Sequence, residues 1–527
     1  MTKIPTRFID RRRLMAAAGG MVLFGGLSRG GALWAAPALK DDPFSLGVAA
    51  GDPWPDGFVI WTRLAPRPLE PHGGMPPQDV RVHWEVAEDD KFSKLVRSGE
   101  AVARPELAHS VHVEVAGLQP ARPYWYRFRL DGALVSDTGT ARTAPTPGVT
   151  PARVRLVSAG CQSYPQGWYD AWGYISREPD LDAVFHYGDY IYEGGASKMV
   201  ITDRLKRVVD RQHASGEIYS LDDYRLRYAQ YKSDSDLKAA HAAAAFIVSF
   251  DDHEVDNDWA SAYDQDGTPP EIFALRRFAA MQAWYEHMPV RKAQFPHPEG
   301  ISMYRRLDYG QLVRMHVLDT RSYRDDQLCV KADQLNCRRE DTPQGTIMGA
   351  AQEQWLNAGL SQDARWNLIA QQVRVMPLLR KGTDQPLALT DQWSGYPASR
   401  RRLVEAISAR KLTNVVIASG DAHVHNVGTV PLREEALDGP AAATEFLASS
   451  ISSGGDGAAQ SEGTLSYADS PNLALANAQR GYQTFDITPK DWRTDVKVLD
   501  RVQAPGGTLS TLARFTVTPD RPVLNRG

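Results

Sequence analysis

Four segments of the chain end an apolar run on side chains able to bind metal ions. Val157-Ser158-Ala159-Gly160-Cys161-Gln162 brings a thiol to a small-residue turn, and His186-Tyr187-Gly188-Asp189-Tyr190-Ile191-Tyr192-Glu193 brings a carboxylate and phenols. Val248-Ser249-Phe250-Asp251-Asp252-His253-Glu254 ends on acids around an imidazole, and Val416-Ile417-Ala418-Ser419-Gly420-Asp421-Ala422-His423-Val424-His425 on a carboxylate and two histidines. Charges in such places cost several kcal/mol each if buried unpaired, and one shared cluster of cations resolves all four costs. Each segment alone has a plain explanation. An Asp after Gly is a turn or helix cap, a His at a strand end is a satisfied core or surface residue, and Cys161 packs as a small hydrophobe. Four such ends in one region, with Gly-Asp-x-x-Tyr and Gly-Asp-x-His spacings, favour a common metal site. If residues 421–425 are extended, Asp421, His423 and His425 share one face.

The elements that must position these groups are strands alternating with helices. Residues 154–159, 183–187, 245–250, 312–318, 367–370 and 415–419 read as buried strands. Residues 271–287, begun by Pro269-Pro270 and stopped before Pro289, read as a helix, as do 351–359 and 399–409. This alternation predicts a layered α/β domain over residues 150–527, with ligands beyond the carboxyl ends of the strands and closing strands at 482–487, 494–499 and 512–518. Residues 44–145 differ: short strand patterns at 58–62, 80–86, 111–115 and 124–128 predict a small immunoglobulin- or fibronectin-like β-sandwich, ending at the linker Thr143-Ala144-Pro145-Thr146-Pro147.

With 527 residues, 43% hydrophobic and 24% charged, the chain is long enough for several cores and has neither disordered nor polytopic membrane composition. Its net charge of -4 gives no global attraction to nucleic acid or anionic lipid, so any phosphate affinity is local. Residues 1–38 read as an export signal: Arg11-Arg12-Arg13-Leu14-Met15 precedes a weakly apolar stretch too short and glycine-broken to span a membrane, and small residues follow at Ala35, Ala36 and Ala38. Consecutive arginines there point to the twin-arginine machinery, which exports folded proteins, and to a periplasmic or secreted destination without a stable anchor. Of three cysteines, Cys329 and Cys337 have a spacing an oxidising compartment could bridge, leaving Cys161 odd.

The segments Gly188-Asp189-Tyr190-Ile191-Tyr192-Glu193, Asp251-Asp252-His253-Glu254, Asp319-Thr320-Arg321 and Gly420-Asp421-Ala422-His423 resemble motifs of the PhoD-type alkaline phosphatases, within the calcineurin-like metallophosphoesterase superfamily. Trp393-Ser394-Gly395-Tyr396-Pro397 with Arg400 is similar to a further family signature, and Gly47-Val48-Ala49-Ala50-Gly51-Asp52-Pro53 resembles the start of the family's β domain. The resemblance implies a metallophosphatase-type layered α/β sandwich preceded by the β-sandwich. It also implies metal ligation by Cys161, Asp189, Tyr192, Asp252, Asp421 and His423, with Asp189 shared between two metals. Thiolate and phenolate beside His423 suit ferric iron and argue against calcium there, whereas Asp252 and Asp421 offer hard oxygens that favour calcium.

The activity so implied is hydrolysis of phosphomonoesters, phosphodiesters or both. Two metals roughly 3.5 to 4 Å apart can lower the pKa of a bridging water and neutralise phosphoryl charge. By the same resemblance His253, directly after Asp252, contacts phosphate and protonates the leaving oxygen; otherwise it supports Asp252 from outside the metal shell. Arg321 either grips phosphate with its bidentate fork or pairs with Asp319. Asp256, Asn257 and His425 are further candidate ligands, and Trp168, Tyr169, Trp393 and Tyr396 either line the cleft or pack the core. The rivals are a phosphodiesterase for cell-wall polymer, nucleotide or phospholipid, an exported binding protein with a degenerate catalytic domain, and an iron redox protein. Retention of every proposed ligand argues against the second, and the paired Asp252 and Asp421 against the third.

Overall fold

The computed structural model describes residues 39–527 except 131–133, 196–210, 298–299, 328–344, 385 and 388. The expected export segment 1–38 and the pair Cys329 and Cys337 lie outside the described residues. No helix among the described residues is long and apolar enough to cross a membrane.

Two large sheets face each other. In the ten-stranded sheet, Val154–Ala159, Ala183–His186 and Ala245–Val248 run parallel side by side, and antiparallel Gly481–Ile487 begins the closing strands on one flank. In the seven-stranded sheet, Val313–Val317, Trp366–Ala370, Val415–Ser419 and Ala441–Leu447 are parallel neighbours. Ala183–His186, Ala245–Val248 and Val415–Ser419 are buried along their whole length, which is why they read as apolar runs.

Alternating side chains divide each strand between two cores. Leu156, Phe185 and Ile247 meet Met315, Leu368 and Val416 between the sheets. On the outer side of the first sheet, Val157, Val184 and Phe246 pack against Trp172, Tyr228, Leu237 and Trp284 from helices Asp170–Ile175, Leu221–Lys232, Ser235–Ala243 and Pro270–His287. Outside the second sheet, Ile369 and Ile417 pack on Leu356, Leu403 and Ile407 from helices Gly349–Gly359 and Pro397–Ala409. The result is the expected layered α/β sandwich, helix, sheet, sheet, helix.

The β-sandwich is present, with one of its faces shared. A four-stranded sheet containing Val80–Ala87 and Pro123–Arg129 packs Val82 and Tyr126 onto Ile60 and Ala50. The strands carrying Ile60 and Ala50 belong to the ten-stranded sheet, because Val48–Trp54 runs parallel to Ala245–Val248 in the register Ala50↔Ala245 and Gly51↔Phe246. The join is tight: a Cβ on Gly51 would lie 2.0 Å from Pro289 O. It is also charged, since Arg305 forks onto Asp52 at 2.9 and 2.8 Å while donating to Val248 O.

Two outcomes follow from this packing. Asp52→Ala takes the carboxylate from a largely buried guanidinium and leaves it only the carbonyls of Met303 and Val248, and unfolding in denaturant should show a loss of about 3 kcal/mol. The shared sheet should keep that unfolding a single transition rather than two. Burial drives the pKa of His186 down to about 3 and those of His241 and His287 well below the ordinary value, with nearby Lys232 or Arg63 adding to the effect. Depressed folded-state values mean the unfolded chain takes up protons first. The contribution of these histidines to stability should therefore be full above about pH 6.5 and fall progressively below it. Thermal midpoints flat from pH 7 to pH 4 would contradict this.

Candidate metal centre

The four apolar runs end at one place. Donor atoms of Cys161, Asp189 and His423 lie within 4.8 Å of one another, as do those of Asp189, Asp252 and His253, and of Asp251, Asp252 and Asp421. Tyr192 Oη joins the first group, 2.9 Å from Asp189 Oδ2 and 3.1 Å from His423 Nε2. Thus all six expected ligands meet, with Asp189 common to both sides.

The backbone bends sharply to bring them there. Cys161, Asp189, Asp421 and His423 have φ of 52°, 55°, 65° and 53°, in the left-handed region that ordinary residues seldom occupy. Residues 421–425 are therefore a turn, and the shared face expected for Asp421, His423 and His425 does not form. His425 instead opens strand His425–Pro431, with Nδ1 accepting from Ser449 N–H at 3.2 Å. The glycines before Cys161, Asp189 and Asp421 have a steric reason. A Cβ on Gly160 or Gly420 would strike the Tyr187 ring at 2.4 or 2.2 Å, and one on Gly188 would strike Asp251 at 2.5 Å. Tyr187, fully buried and donating to Ser449 O, is the wedge about which two ligand turns close.

Glu254 clamps the second and third turns together. Its carboxylate accepts from the backbone N–H of Asp189, Tyr190 and Asp251 at 3.1, 2.5 and 2.8 Å. Asp252 is fixed through its Oδ1 by His253 N–H and through its Oδ2 by Asp258 N–H. Arg321 is fully buried and reaches Asp251 at 2.5 Å, Asp391 at 2.5 and 2.9 Å, and Asp252 at 3.6 Å. Its fork is therefore occupied by carboxylates and not offered to a phosphate. Nor does Arg321 pair with Asp319, whose carboxylate accepts from the backbone of Arg321 and Ser322.

The electrostatics ask for positive charge. Burial, then the neighbouring Asp252, pushes Asp189 up to about 7 against the pull of His253. Burial and adjoining carboxylates push the Cys161 thiol and Tyr192 phenol well up. Asp189 Oδ1 is buried without a hydrogen-bond partner. A crowd of thiol, phenol, imidazole and carboxylate around an orphaned oxygen fits a pair of bound cations. His253 stands at the rim: Nδ1 is 2.7 Å from Glu193, leaving Nε2 free of that partner. Burial opposes its charge, but Glu193, Asp252 and Asp189 outweigh it and hold the imidazole well above its ordinary pKa. Side-chain exposures of 17% for His253 and 34% for His423, against 1% for Asp189, place the open side of the site there.

Of the other candidates, Asp256 is held by Arg276 at 3.0 Å, and Asn257 donates its backbone to Glu193. Tyr169, Trp393 and Tyr396 are buried core residues. Sequence reasoning did not find Glu193, Glu254, Asp391 or the turn 449–453. Glu193 and Glu254 end the segments 188–193 and 251–254, yet a partner's location cannot be read from spacing.

Residues 156–496 match the PhoD-like phosphatase family, and residues 31–145 its N-terminal domain. Alkaline phosphatase D of Bacillus subtilis (strain 168) is 42% identical over 528 residues, covering 98% of this chain and 89% of the relative. The solved structure of PhoD superposes with a TM-score of 0.89 at 42% identity, over 93% of each chain. A purple acid phosphatase from yellow lupin (Lupinus luteus) seeds, 14% identical with a TM-score of 0.51 over 90% of this chain and 73% of that one, shares the fold. Matched along both of its regions, the protein belongs to the PhoD-like phosphatase family and is a phosphatase.

Proposed function

We propose that the protein is an exported phosphoester hydrolase whose first metal position is ferric iron and whose second is calcium. The observation that carries this reading is the asymmetry of the donor set around Asp189. Cys161, Tyr192 and His423 gather on one side and the oxygens of Asp252 and Asp421 on the other. Thiolate and phenolate suit iron, and an all-oxygen set suits calcium. Bound there, such cations supply an activated water and neutralise phosphoryl charge.

The chain's own residues do the rest. His253, charged and turned by Glu193, presents Nε2 at the open rim, where it contacts the phosphoryl group and gives its proton to the departing oxygen. Arg321 holds Asp251 and Asp391 so that Asp252 keeps its aim, a positioning part in place of direct phosphate binding. That placement bears on substrate. A monoester dianion calls for further cationic groups at the phosphate, and Arg321 and Arg324 are both committed to Asp391. A phosphodiester, with one charge fewer, suits the site better, and both ester classes are proposed as substrates with the diester favoured. Export through machinery for folded proteins rests on the arginine run 11–13 and places the enzyme in the periplasm or outside the cell.

Two substitutions test the roles. Cys161→Ser should lower bound iron and hydrolysis together, by at least the roughly 10- to 100-fold that losing an outer partner costs a metal site. Elemental analysis beside a nitrophenyl ester assay reads this, and full iron with full activity would make Cys161 a bystander. His253→Ala should reduce kcat by about 10² to 10⁴ with metal content unchanged; metal loss preceding activity loss would instead make His253 a support for Asp252.

A further inference from the structure

The turn 449–453, Ser449-Ser450-Ile451-Ser452-Ser453, follows strand Ala441–Leu447 and is wholly buried. It lies against the Cys161 turn. Ile451 N–H donates to Gly160 O at 2.9 Å, and Ser452 and Ser453 N–H reach Cys161 O at 3.4 and 3.3 Å. Ser452 Oγ donates to Ser163 O at 2.9 Å. Ser453 Oγ has three neighbours: Tyr192 Oη at 2.6 Å, Cys161 O at 2.8 Å and Ser163 N at 3.0 Å.

Counting hydrogens shows what this contact is for. The Ser163 N–H is a donor and Cys161 O only accepts, so the single hydroxyl hydrogen of Ser453 must choose between Cys161 O and Tyr192 Oη. Tyr192 has one hydrogen as well, and Asp189 Oδ2 at 2.9 Å is the acceptor that takes it. When the Tyr192 oxygen serves as a ligand that hydrogen is lost to solvent, and the oxygen becomes an acceptor facing Ser453. Cys161 O can release the Ser453 hydroxyl at little cost, because the N–H groups of Ser452 and Ser453 still face it.

We infer that Ser453 is a positioning residue of the first metal position: its hydroxyl donates to the ligating Tyr192 oxygen and ties that oxygen to the turn carrying Cys161. The inference rests on Tyr192 being a ligand. A hydrogen bond to a charged acceptor is short and strong, and Ser453 Oγ already stands 2.6 Å from the Tyr192 oxygen, close enough to make one once that oxygen gives up its hydrogen. The phenol and the thiol come from different strand ends, and Ser453, like the Asp189 carboxylate, touches both segments.

The test uses the full chain loaded with ferric iron, comparing wild type, Ser453→Ala and Ser453→Thr. A phenolate bound to ferric iron absorbs visible light, and removing a donor from its oxygen moves that band to longer wavelength. Ser453→Ala should show the displaced band and lose iron to citrate about tenfold more readily. The melting temperature of its metal-free form should stay near that of wild type, and Ser453→Thr should return the band. A band unmoved in Ser453→Ala overturns the inference. So does a band that Ser453→Thr leaves displaced, since lost packing then explains it. If iron-loaded wild type shows no such band, Tyr192 is not a ligand, and the ligand reading fails along with this inference.

Discussion

Asp189, Asp251, Asp252 and Glu254 are buried together beside Cys161 and Tyr192, and the guanidinium of Arg321 contacts one of those carboxylates and approaches a second. Like charges so close in a poorly solvated place repel one another at a cost of several kcal/mol. Folding alone does not remove that cost. Cations bound between the side chains would, and much of the local structure makes sense as a scaffold that keeps the acids crowded for them. Glu254 ties two turns by their backbones, Arg321 draws Asp251 and Asp391 inward, and Cys161, Asp189, Asp421 and His423 accept a left-handed backbone that a free chain would leave.

The layered sandwich supplies the rigidity for this. Parallel strands from both sheets terminate at the same edge, so turns distant in sequence are neighbours in space. Tyr187 fills the space between the Gly160 and Gly420 turns, and only glycine leaves room for its ring. Activity and packing thus share residues: the aromatic ring that completes the inter-sheet core also sets the distance between a thiol turn and a carboxylate turn. The N-terminal sandwich is joined to this frame through a common sheet. Asp52 and Arg305 lock its first strand beside Ala245–Val248, whose following residues carry Asp251 and Asp252.

Much of this was legible in the sequence because buried parallel strands announce themselves. Val154–Ala159 and Val415–Ser419 coincide with their apolar runs, and Pro269-Pro270 marks the start of Pro270–His287. Helix Leu221–Lys232 was not foreseen, although Ser220 and Asp223 form a capping box at its start. Its buried residues include Tyr224, Arg227, Tyr228, Gln230, Tyr231 and Lys232, aromatic, polar and charged side chains that do not register as an apolar stripe. That these side chains gather at one place was readable from residue types at strand ends, while the local geometry was not: residues 421–425 read equally well as extended, and positive φ at Asp421 and His423 makes them turn. Arg321 stands for the same limit, since a strand-end arginine looks like a phosphate fork until Asp391 is seen beside it.

Anomalous X-ray diffraction above and below the iron edge, from crystals of protein purified without chelator, decides whether cations occupy this cluster and which they are. Two neighbouring cations are expected, sharing Asp189. One should show an iron signal and contact Cys161, Tyr192 and His423, and the other should lack it and be ringed by oxygens including those of Asp252 and Asp421. Crystals of active enzyme with no metal between these side chains, or with metal held elsewhere, would contradict the account.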